Sequence, residues 1–106
     1  MAKFLWKASY TSDGVKGVLK EGGTGRQAVV EKIVEGLGGK VEAFYFALGE
    51  HDVYVITELP DTVAATAVSL TVNASGIVAL QTVELLTPEQ VDEASKKSVD
   101  YRPPGA

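Results

Sequence analysis

The chain has 106 residues, 45% of them hydrophobic, with 14 acidic against 10 basic side chains and no cysteine. A chain of this length builds one core rather than two, so a single domain over residues 1–106 is expected. The lack of cysteine excludes disulfides, thiol catalysis and cysteine-ligated zinc or iron–sulfur sites, and a formal charge of -4 without a segregated basic patch argues against nucleic acid and anionic membrane as partners.

From Lys3 to Thr11 the alternation puts Phe4, Trp6, Ala8 and Tyr10 on one face and Lys3, Leu5, Lys7 and Ser9 on the other, the pattern of a first strand. Lys3 and Lys7 also break any apolar run at this end. No segment reaches the ~20 apolar residues that span a bilayer, so the expectation is a soluble, cytoplasmic protein. Thr11, Ser12 or Asp13 can cap a helix of one or two turns holding Val15, Val18 and Leu19, which Gly14 and Gly17 weaken. Thr24 followed by Gln27 has the spacing of a capping box. Val29/Val30, Ile33/Val34 and Leu37 then recur at the helical period until Gly38 and Gly39 stop the helix.

Strict alternation from Lys40 to Leu48 groups Val41, Ala43, Tyr45 and Ala47 against Glu42, Phe44, Phe46 and Leu48. A corner at Gly49 separates this strand from a β-branched and aromatic one over Asp52–Leu59, which reads as a hairpin. Asp61 can cap a further helix with a stripe at Val63, Ala64, Ala67, Val68, Leu70 and Thr71, ended by Asn73 and Gly76. Ile77 to Leu86 gives the fourth strand. Thr87-Pro88-Glu89-Gln90 is a capping box with proline at the first helical position, opening an extra C-terminal helix, and residues 98–106 form an extended, proline-containing tail.

Two helical crossovers around a central hairpin give an α+β, ferredoxin-like βαββαβ arrangement with an antiparallel four-stranded sheet and both main helices on one face. Large apolar residues fall on both faces of the strands, including an aromatic set drawn from Phe4, Trp6, Tyr10, Phe44, Tyr45 and Phe46. An uncovered face of that kind is more apolar than monomers usually show, so a second copy packed sheet to sheet, a dimeric α+β barrel, is expected.

The candidate chemistry is sparse. Gly23-Thr24-Gly25-Arg26-Gln27-Ala28 looks in part like a dinucleotide loop, but it neither directly follows a strand nor enters a doubly wound sheet. It reads as a loop and helix start, with an anion site on free amides, Arg26 and Lys20 as the functional possibility. Glu50-His51-Asp52 is the one place where an imidazole meets carboxylates, making His51 and Asp52 the candidate catalytic pair. Trp6, Tyr10, Lys20, Arg26 and Tyr45 are the candidate ligand-binding residues. One histidine and no cysteine leave too few donors for a metal within one chain, and no cofactor is expected.

Taken together, Tyr10-Thr11, Gly17-Val18-Leu19-Lys20-Glu21-Gly22-Gly23, Gly38-Gly39-Lys40, Ala47-Leu48-Gly49-Glu50-His51-Asp52-Val53 and Leu86-Thr87-Pro88-Glu89 resemble the GYD domain family. Gly49 and Asp52 fit the motif for which the family is named, while His51 stands where that motif has tyrosine. The resemblance covers nearly the whole chain and implies the ferredoxin-like, dimeric α+β barrel type of fold, with no established activity. Three functional expectations follow. The first is a homo-oligomer that binds a small organic molecule or serves as a stress-linked accessory protein. The second is a small cofactor-independent enzyme of monooxygenase or isomerase type using His51 and Asp52. The third is a structural ring or cage in which the tail clasps a neighbour. A cavity of ~300 Å³ or more reached by His51, Asp52 or Arg26 would favour the enzyme.

Overall fold

In the computed structural model, which describes residues 1–106, β1 (Ala2–Tyr10) leads into α1 (Ser12–Glu21) and α2 (Gly23–Gly36). The hairpin β2 (Lys40–Phe46) and β3 (Val53–Leu59) follows, then α3 (Thr62–Ala74), β4 (Val78–Leu85) and α4 (Pro88–Ser95). The strands form one sheet in the order β2-β3-β1-β4, each neighbouring pair antiparallel. That order and the helix count are compatible with a ferredoxin-like fold, and the α+β class is as the hydrophobic pattern implied. No helix is long and apolar enough to cross a membrane.

The helix starts are written in side chains at three of four places. Thr11 accepts from the Gly14 amide, Asp61 from the Ala64 amide, and Thr87 and Gln90 complete both halves of a capping box. α1 spans 10 residues, longer than the turn or two expected. Gly14 makes this possible by letting the helix approach the sheet: a Cβ there would lie 2.8 Å from the Ile77 carbonyl oxygen. α2 begins differently from expectation. Gly22, at φ 80°, closes α1 and opens α2 at once, so Thr24 lies inside the helix and makes no side-chain cap. The Gly22 amide donates to the Val18 carbonyl and its own carbonyl accepts from the Arg26 amide, so this one residue closes the last turn of α1 and begins the hydrogen-bond ladder of α2.

Gly39 is the most crowded of the glycines. A Cβ there would stand 2.1 Å from the Glu58 carbonyl oxygen, because Gly39 leads directly into Lys40, which pairs with Glu58 on β3. Just beyond it the register steps from Val41↔Thr57 to Ala43↔Ile56, leaving Glu42 as the extra residue of a β-bulge. The bulge reverses the facing of everything after it. Val41, Phe44 and Phe46 share the side that the helices cover, and Ala43 and Tyr45 the other, which corrects the straight alternation expected for this strand. β2 also stops at Phe46, before the expected Leu48.

α3 is rotated relative to its expected stripe. It buries Ala65 and Val68, with Ala64 and Val72 packed beside them, while Val63 and Leu70 are 74% and 67% exposed. The helix carries no charged residue, so its sequence offers little to mark the outer side. The core between helices and sheet is built on Phe4, Trp6, Val34, Val55 and Leu59.

The aromatic residues are distributed less evenly than expected. Phe4, Trp6, Tyr10, Phe44 and Phe46 all lie on the helix side by register, and only Tyr45, paired with Tyr54, lies on the helix-free face. That face is mixed. Leu5, Ile56 and Val83 line up across three strands, and at one end Lys3 bridges Glu42 and Glu58, the latter at 2.8 Å, with Lys40 at 3.7 Å from Glu58. α4 makes no substantial packing with any other element, and residues 96–106 form neither helix nor strand. The projecting arm stretches the chain to a radius of gyration of 16.9 Å, against about 13 Å for a compact chain of this length.

Candidate functional site

α2 and α3 both rest on the sheet but make little contact with each other, and the space between them is an apolar cavity of about 50 Å³. Trp6, Ala8, Val55 and Leu80 form its floor, and Val30, Ile33, Val68 and Val72 its walls. Arg26 is its one charged lining residue. A wider cleft of about 400 Å³ opens between α1 and α3, lined by Asp13, Gly14, Gly17 and Glu21 on one side and Thr71, Val72 and Ser75 on the other. Tyr10, Arg26, Val72 and Val78 line both spaces, so the two meet at the Arg26–Tyr10 pair.

Arg26 takes part in none of the chain's ion pairs, all of which lie on the helix-free face. Beside it, burial holds the Tyr10 phenol above its usual range; the Arg26 charge draws it back down, and the Asp52 and Glu21 carboxylates add to the rise. At the floor, Trp6 is 3% exposed and its indole N–H is buried without a hydrogen-bond partner. A buried donor left unpaired costs about 1–3 kcal/mol.

Of the five expected ligand-binding residues, the structure brings together Trp6, Tyr10 and Arg26. Lys20 is exposed in the last turn of α1 and lines neither space. Tyr45 is 71% exposed on the opposite face of the sheet, where the bulge at Glu42 sends it. The expected catalytic pair is also divided. His51 Nδ1 lies 3.3 Å from Ser9 Oγ and its ring meets Tyr54 edge to face, at 5.9 Å between centroids. Asp52 instead accepts from the Tyr10 backbone N–H at 2.8 Å, and its own amide donates to the Ala8 carbonyl. Neither residue lines the cavity or the cleft, which Arg26 alone of the three reaches. Nowhere do three His, Asp or Glu side chains gather as a metal site would need.

Sequence reasoning missed the α1 wall. Asp13, Gly17 and Glu21 fall at i, i+4 and i+8, one face of a helix, and that spacing was readable had α1 been given its full length.

Fold and site together define a small α+β domain, one antiparallel sheet with a ligand-sized recess on its helix-covered side. The chain belongs to the GYD domain family, whose profile matches residues 4–95. A comparison with curated proteins found no match, and neither did a comparison with solved structures.

Proposed function

We propose that the protein binds a small amphipathic organic molecule, with the ligand's apolar part between α2 and α3 and its anionic group on Arg26. The observation that carries this reading is a guanidinium without a carboxylate partner at the junction of an apolar cavity and an open cleft. A few polar groups converging on a mostly apolar recess is the usual form of a small-molecule site, and Arg is the side chain best shaped to grip a carboxylate. The cleft, at about 400 Å³ and reached by Arg26, meets the size and reach set above for the enzyme reading, but a general base must come within hydrogen-bond reach of substrate, and neither His51 nor Asp52 borders the recess. Binding is therefore favoured over catalysis. The chain's single tryptophan lies in the floor, so titrating its fluorescence with aliphatic and aromatic carboxylates tests the reading. A saturable change lost in Arg26→Gln is expected; no change with any of them would overturn it.

The same reading has the protein working as a homodimer through the helix-free face. Its exposed surface is 7308 Å², about 1,600 Å² above the roughly 5,700 Å² of a folded monomer of this mass. A standard interface removes about 800 Å² from each partner, and Leu5, Ile56 and Val83 provide an apolar centre for one. The unpacked arm of α4 and residues 96–106 fits an assembly as well: isolated helices this short are marginal in water, and a neighbouring copy is the surface available to hold it.

A further inference from the structure

The cleft is not a plain anion site. One guanidinium, Arg26, and two carboxylates, Asp13 and Glu21, line the same space, and none of the three is in an ion pair. A ligand carrying only a carboxylate would gain from Arg26 while being repelled by the two acids. A ligand carrying only an amine would meet the reverse. Both charges are satisfied together by a molecule that bears the two signs itself.

Gly17 adds an independent observation. It sits in the interior of α1, where glycine weakens a helix, yet a Cβ there would meet nothing within 4 Å and no positive φ requires it. It has neither a packing reason nor a backbone reason to be glycine. What it does is line the cleft midway between Asp13 and Glu21, where any larger side chain would project into the open volume. The apolar cavity beyond Arg26, at about 50 Å³, has room for a short branched chain.

We propose that the recess takes a small zwitterion with an apolar side group, the chemistry of an apolar amino acid. The carboxylate lies on Arg26, the ammonium between Asp13 and Glu21 over Gly17, and the side group in the cavity above Trp6. This rests on the Arg26-anchored reading given above and narrows it to one ligand class.

Calorimetric titration with leucine, isocaproate and isoamylamine separates the two claims, because the three probes share one branched end and differ only in charge. Leucine is expected to bind about 10-fold or more tighter than either of the others, the size of one lost charge-assisted contact. The double variant Asp13→Asn, Glu21→Gln should bring leucine down to the affinity of isocaproate. Gly17→Leu should abolish leucine binding without lowering the melting temperature, since the substitution improves the helix and a Cβ at this position meets nothing within 4 Å. If isocaproate binds as tightly as leucine and loses affinity in Arg26→Gln, the zwitterion is wrong and the Arg26 site stands. If isoamylamine binds best, or no probe saturates at millimolar concentration, both fall.

Discussion

The Asp52 carboxylate accepts a hydrogen bond from the Tyr10 backbone N–H at 2.8 Å, across the end of β1 where pairing with β3 has already stopped at Ala8↔Val53. The hairpin loop thereby holds the last residue of β1 in line, and with it the phenol that lines the recess. Asp52→Ala should cost about 1.5–2 kcal/mol in urea unfolding, the worth of a hydrogen bond to a charged group. Asp52→Asn, which keeps an acceptor, should retain most of that stability and most ligand affinity. Loss of all binding in a fully stable Asp52→Asn would instead assign the carboxylate to the ligand.

Tyr10 reports on Arg26. Burial raises the Tyr10 phenol above the ordinary value of 10.0 and the Arg26 charge opposes that rise. Removing the charge in Arg26→Gln should move the phenol's titration, followed by ultraviolet absorbance, to still higher pH. A carboxylate bound on Arg26 should move it the same way in the unaltered protein. A downward or absent shift in the variant would mean that the two side chains do not sense each other.

The ion pairs on the helix-free face set an acid limit. Lys3 beside Glu58 holds that carboxyl below its ordinary value of 4.5, so the contribution of the pair is fully present above that value and is lost as the pH falls below it and through the lower value of the folded state. Lys3 is shifted upward, first by Glu42 and then by Glu58, from 10.5; its contribution fails only as the pH rises past that value. Glu58→Gln should flatten the decline of unfolding free energy below about pH 4.5 while leaving the slope near neutrality unchanged.

Gly39 should tolerate no side chain. With a Cβ 2.1 Å from the Glu58 carbonyl oxygen, Gly39→Ala must push the start of β2 away from β3, at a cost of about 3 kcal/mol by denaturant unfolding. Gly17→Ala, with nothing within 4 Å, should stabilise by roughly 0.5–1 kcal/mol. Equal effects at the two positions would contradict the packing described.

The arm makes a prediction of its own. A chain ending at Thr87 lacks α4 and the tail but no part of the sheet or core. If the arm holds a neighbouring copy, sedimentation of the shortened chain should show weaker association with an unchanged melting temperature at high concentration. An unchanged association constant would remove the arm from assembly.

Much of this fold was legible from the chain because strand alternation, the caps at Thr11, Asp61 and Thr87, and the glycines after Leu37 each act locally. What escaped depended on tertiary contact. The bulge at Glu42 exists only against β3, and one extra residue there was enough to send Tyr45 away from the site and bring Phe44 into the cavity wall. The outer side of α3 was unreadable because no charged residue marks it. Its end holds another such contact: the Asn73 side chain accepts from the Leu80 amide at 2.7 Å and donates to its carbonyl at 3.1 Å, fastening the edge strand in a way no residue pattern announces. The site was half legible. Trp6, Tyr10 and Arg26 stood out by residue type, whereas Asp13, Gly17 and Glu21 matter only because α1 lies across from α3.

The most direct test of the Arg26 recess is the indole N–H resonance of Trp6, which a one-tryptophan chain gives as a single peak. Titrating leucine into nitrogen-15-labelled protein should move that peak saturably, together with amides of Gly17 and Val72, and Arg26→Gln should abolish the movement. Saturable binding that leaves the indole peak in place, or that survives the loss of Arg26, would contradict the account.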